Sequence, residues 1–102
     1  MHLVQLLLPL RDNAGRPFPS QLFDAVRAEL TARFGGLTAY TRAPAEGVWE
    51  GGEGERARDQ VVIYEVMADA LDRDWWGAFR ADLEGRFAQD ELVVRAHAIE
   101  RL

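Results

Sequence analysis

The run VVIYEVM, Val61–Met67, is the densest cluster of β-branched and aromatic residues in the chain. As a strand it alternates its side chains across a sheet. Val62, Tyr64 and Val66 then share one face, and Val61, Ile63, Glu65 and Met67 share the other. The first set is wholly apolar, and the second carries a carboxylate. One face belongs against a core, and the other is turned away from it.

Three further segments read as strands with the same two-sidedness: His2–Leu8, Leu37–Arg42 and Leu92–Ile99. Their core-side residues are Val4, Leu6, Leu8, Leu37, Ala39, Leu92, Val94, Ala96 and Ala98. Their outward residues are Leu3, Gln5, Leu7, Thr38, Tyr40, Arg42, Val93, Arg95, His97 and Ile99. Between them, Arg11–Pro19 is dense in turn formers and predicts a loop. Ser20–Phe34 places Leu22, Phe23, Val26, Leu30 and Phe34 on one helical stripe, with Gly35-Gly36 to end it. Asp72 is an N-cap candidate for a second helix, whose apolar side is Trp75 or Trp76, Phe79, Leu83 and Phe87.

The two helices are related. FDAVRAELTARF, Phe23–Phe34, aligns without gaps on WGAFRADLEGRF, Trp76–Phe87, with six of twelve positions identical. Two similar αβ halves are what a split βαβ arrangement contains. The predicted fold is an α+β sandwich of order βαββαβ, with a four-stranded antiparallel sheet and both helices on one face. Residues 1–102 form a single domain, in which 43–60 is a long loop, part β-excursion, between the second and third strands. Its aromatic residue, Trp49, is expected to plug the core or anchor a partner subunit rather than to act as a lid.

Composition narrows the chemistry. No cysteine is present, which excludes disulfides, a thiol nucleophile and thiolate metal sites. It also fits a cytoplasmic location. MHLVQLLLPL reads as a strand rather than a signal peptide, and no apolar run is long enough to span a bilayer. Twelve basic residues stand against 17 acidic ones with no basic stripe, so neither nucleic acid nor membrane is an expected partner. His2 sits beside the initiator and is expected to fray. With His97 as the only other histidine, and no H-x-H or HExxH spacing, no metal and no cofactor are expected. GGEGE, Gly51–Glu55, lacks the lysine and helix of a phosphate cradle.

The outward face, with Leu3, Leu7, Val61, Ile63, Met67, Val93 and Ile99, is too apolar to leave in water. Its expected cover is a second copy of the same face across a two-fold axis, giving a homodimer through the open sheet face.

The strand order, the length and the half-apolar open face resemble the dimeric α+β barrel superfamily of ferredoxin-like proteins. RFGGLTAYTRAPAEGVW, Arg33–Trp49, together with VVIYEVM, is similar to an uncharacterised bacterial family of small ferredoxin-like proteins. The resemblance implies a ferredoxin-like domain that dimerises. Members of the wider superfamily include quinol monooxygenases, haem-degrading enzymes, small isomerases and non-enzymatic ligand binders, and fold does not choose among them.

Six polar residues fall on the open face: Gln5, Tyr40, Arg42, Glu65, Arg95 and His97. Arg95 or Arg42 suits a carboxylate or enolate. His97 or Glu65 suits proton transfer, and Tyr40 suits hydrogen bonding to a carbonyl oxygen. Gln5 and Trp49 complete the candidate ligand contacts. A cross-strand Glu65–Arg95 pair that only satisfies a buried interface explains the same residues without chemistry. The expected function is a homodimeric binding or accessory protein for a small apolar or anionic organic ligand. The alternatives are a cofactor-independent monooxygenase- or isomerase-type enzyme acting on a conjugated carbonyl or quinol, and a purely structural interaction module.

Overall fold

Strand β1 (His2–Pro9) runs down the middle of the molecule, and its alternation is strict. Val4, Leu6 and Leu8 are at most 1% exposed, whereas Leu3, Gln5 and Leu7 between them are half-buried. The computed structural model describes the backbone of residues 1–50 and 56–102 and the side chains of 1–41, 48 and 60–102. Around β1 the chain adds α1 (Ser20–Phe34), β2 (Thr38–Glu50), β3 (Arg56–Ala68), α2 (Arg73–Arg86) and β4 (Val93–Ala98). The sheet order is β2-β3-β1-β4, with every neighbouring pair antiparallel. This is the expected ferredoxin-like βαββαβ sandwich. No described helix is long and apolar enough to cross a membrane.

The core lies between the sheet and the two helices. Val62, Tyr64 and Val66 of β3 join the β1 set, with Val26 and Leu30 from α1 and Trp76, Phe79 and Leu83 from α2. Each such side chain contributes roughly 1.5–3 kcal/mol by leaving water. The sequence repeat has a structural meaning. Leu30 and its counterpart Leu83 are both fully buried. Phe34 stacks on Trp76 at 5.1 Å, and its counterpart Phe87 is held edge-on by Phe18 at 5.1 Å and Phe23 at 5.4 Å. Arg33 lies 4.2 Å over the Trp75 ring. Its counterpart Arg86 ties α2 to α1 through Glu29 and also pairs with Asp82. Arg86 holds the Glu29 carboxyl below the usual carboxylate range.

The helix starts differ. Asp72 caps α2 by accepting from the Trp75 backbone N–H at 3.0 Å, as expected. At α1, Ser20 is the first helical residue, and Pro19 stands at the cap without a side-chain bond.

The second strand and third strand depart from expectation. Most of 43–60 is not a loop: β2 continues to Glu50 and β3 begins at Arg56, with pairing up to Glu50↔Arg56. The glycines, proline and charges there have the composition of a loop, but each strand supplies the other's backbone partners. Beyond Pro9↔Val61 the hairpin has outrun β1 and continues as a two-stranded ribbon. Leu10 donates its N–H to Gln60 at the ribbon's root. Between Tyr40↔Ile63 and Ala45↔Val61 the register shifts, so β2 spends five residues where β3 spends two. Pro44, which has no N–H to give a ladder, lies inside this irregularity.

Both helices end on a left-handed residue after the repeat's final phenylalanine. After α1 it is Gly35, at φ 80°, and after α2 it is Ala88, at φ 50°. A left-handed residue with a Cβ is strained by roughly 1–2 kcal/mol. Glycine also gains freedom in the unfolded chain, which offsets part of that. Ala88→Gly should therefore raise stability by about 0.5–1 kcal/mol in urea unfolding. No gain, or a loss, would mean that Ala88 is not held in that conformation.

Candidate ligand site on the open face of the sheet

Because β1 lies between β3 and β4, each of its outward residues has a neighbour on both sides. Leu3 faces Met67 and His97, Gln5 faces Glu65 and Arg95, and Leu7 faces Ile63 and Val93. Thr38 and Tyr40 of β2 extend the second and third rows, opposite Glu65 and Ile63. The open face is one polar row flanked by two mainly apolar rows. Met67 and Val93 are each 47% exposed, so among the described residues neither helix nor loop covers this side.

The polar row is joined by hydrogen bonds. Arg95 Nε donates to Gln5 Oε1 at 2.8 Å, and Gln5 Nε2 donates to Glu65 Oε1 at 2.5 Å. The Tyr40 hydroxyl donates to Glu65 Oε2 at 3.2 Å. The expected Glu65–Arg95 pair is therefore indirect. The two residues sit on strands that flank β1, and Gln5 stands between them. The Gln5 amide suits that place, since its oxygen accepts from a guanidinium and its NH2 donates to a carboxylate. Each Glu65 oxygen accepts one bond, which leaves a lone pair on each for a ligand donor.

Four of the expected site residues are thus brought together: Gln5, Tyr40, Glu65 and Arg95. His97 is not among them. It is exposed in the next row, opposite Leu3, and makes no side-chain hydrogen bond among the described residues. Arg42 falls in the irregular part of β2, where strand alternation no longer assigns a face. Its side chain and that of Trp49 lie outside the described residues, so the roles expected of both do too. His2 is not frayed: it pairs within β1, opposite Ala68 and Ala98. His97 and Glu100 have H-x-x-E spacing, but no group of three potential metal ligands occurs among the described residues.

A cleft of about 910 Å³ opens beside Glu65. Its walls include Leu3, Phe34, Leu37, Val66 and Met67, and its polar lining includes Arg33, Thr38, Glu65, Asp69 and Arg101. Gly35-Gly36 borders it. Sequence reasoning missed this cleft. The glycine pair was legible only as a helix stop, and Asp69 and Arg101 reach the site through the sheet's end rather than through strand alternation.

Ionising Tyr40 would place a phenolate beside the Glu65 carboxylate and remove their hydrogen bond. These effects, in that order, hold the phenol above its ordinary value. Tyr64, the only other tyrosine, is raised by burial. Both phenols should titrate above the usual range by NMR. Glu65→Gln should bring Tyr40 down and leave Tyr64 in place. A Tyr40 titration indifferent to that substitution would contradict the contact.

No family model matches the chain, and no curated protein matches it in sequence. Two solved structures match its fold. One is a phage SAM lyase in complex with S-methyl-5'-thioadenosine, 15% identical with a TM-score of 0.59, covering 94% of this chain and 79% of that one. The other is phage SAM lyase in the apo state, 13% identical with a TM-score of 0.60, covering 94% and 78%. At these identities the likeness is one of fold: a small α+β domain with a four-stranded antiparallel sheet.

Proposed function

We propose that the protein is a homodimeric, cytoplasmic binder of a small, largely apolar organic ligand of nucleoside size, seated in the cleft beside Glu65. The observation that carries this reading is the meeting of that cleft with a carboxylate already oriented by Gln5 and Tyr40. The cleft's volume is in the usual range for small-ligand sites, roughly 300–1,000 Å³. Its apolar wall would take a flat ring, and Glu65 and Thr38 would meet hydroxyl or amino donors. The fold neighbour's complex with S-methyl-5'-thioadenosine supports the choice of ligand class.

The homodimer is supported by the same face. Leu3, Leu7, Val61 and Ile63 lie half-buried beside the more exposed Met67 and Val93. A second copy would cover them, as the resemblance to dimeric α+β barrels implies. Gln5 and Tyr40 already bond both Glu65 oxygens, so covering the row does not leave that carboxylate without partners. A second, catalytic reading draws support from the neighbours' lyase activity, with Glu65 acting on the bound molecule. A separate His97 argues against the isomerase-type scheme that pairs it with Glu65.

Calorimetric titration with S-methyl-5'-thioadenosine tests the reading. Saturable binding is expected, weakened about tenfold or more by Glu65→Gln, that is by roughly 1.4 kcal/mol. No binding at millimolar ligand, or binding untouched by that substitution, contradicts the site. Turnover of the ligand would favour the catalytic reading.

A further inference from the structure

The sheet has two edges, and they are treated differently. The β2 edge is interrupted by a register shift and by Pro44, both of which discourage another strand from adding there. The β4 edge has neither. β4 pairs with β1 alone among the described residues, so its outer row of backbone N–H and C=O groups faces outward.

The helix-side surface of β4 is also unroofed. Ala96 and Ala98, expected against the helices, are exposed, and Val94 is half-buried. The edge strand reaches past the cover that α2 provides. A groove of about 380 Å³ remains between the two, with Leu71, Trp76, Val94 and Ala96 as its apolar lining. Three arginines, Arg73, Arg80 and Arg95, line the same groove, and no acidic residue does. In a chain of net charge −5 this is a local reversal of sign. Arg80 is held by both oxygens of Glu84 at 2.9 Å. Arg73 is exposed at the start of α2, and Arg95 uses only its Nε on Gln5.

We propose that the β4 edge and this groove dock an acidic, extended segment of a partner protein by strand addition. The open edge supplies the main-chain bonds, the short Ala96 and Ala98 side chains leave room for the incoming residues, and the arginines select their charge. A second copy is the poorer occupant. Two-fold antiparallel pairing of β4 with itself centred on Arg95 sets one Arg95 opposite the other, and like charges facing across a ladder repel. The groove lies on the helix side of β4, away from the face used by the proposed dimer; Arg95, whose Nε bonds Gln5 on that face, is common to both, so the charge selection rests on Arg73 and Arg80.

The test is fluorescence anisotropy of the full chain with two labelled peptides, one alternating valine with glutamate and one alternating valine with lysine. The glutamate peptide should bind saturably and release with added salt, and the lysine peptide should not bind. Amide NMR shifts should concentrate on Val93–Ala98 and the facing side of α2. Arg73→Glu should weaken binding about tenfold. That substitution suits the first turn of a helix, so the fold should survive it. Failure of the glutamate peptide to bind, equal binding of both peptides, shifts confined elsewhere, or an unaffected Arg73→Glu variant would each overturn the proposal.

Discussion

β1, one of the two inner strands of the sheet, cannot serve one side without committing the other. Val4, Leu6 and Leu8 lose water almost completely against the helices, and the pleat then turns Leu3, Gln5 and Leu7 to the opposite face. A slip of one residue would exchange the two sets and put an amide in the core. The core preference therefore sets the register, and the register sets which polar groups meet on the open side. The candidate site follows from how the hydrophobic core is built.

Gln5 is where that consequence is most specific. Its two neighbours carry opposite charge, one on each flanking strand. A neutral amide that can donate on one side and accept on the other joins them without adding charge to the row. Tyr40 completes the arrangement from β2 and has its own proton held by the contact. The result is a polar band linked by hydrogen bonds, lying between apolar strips. Such a band can be covered by protein, and it still presents Glu65 to the cleft at the sheet's end.

The two-sidedness of the strands, both helices and the cap at Asp72 were legible because each is a local pattern. The face of Gln5, Tyr40, Glu65 and Arg95 came from the period of two alone. What a single strand cannot reveal is which residue stands beside it on the next one. The intervening place of Gln5 and the separation of His97 from Glu65 are products of non-local pairing. The pairing of 45–50 with 56–61 was legible only as a partial β-excursion for a related reason, since its residues resemble a loop until each strand is seen to partner the other. Its register shift also removed the alternation on which the placement of Arg42 relied. Ala96 and Ala98 have the pattern of core residues, yet they lie beyond the reach of α2 on an edge strand.

The account depends most on the oily strips of the open face being shielded by a twin. Sedimentation equilibrium over a wide concentration range, on the native chain and on Leu7→Glu, addresses this directly. Leu7 stands between Ile63 and Val93 on that face. The account predicts a dimer that the carboxylate splits while the circular dichroism spectrum stays unchanged. A native chain that sediments as a monomer up to millimolar concentration would contradict it.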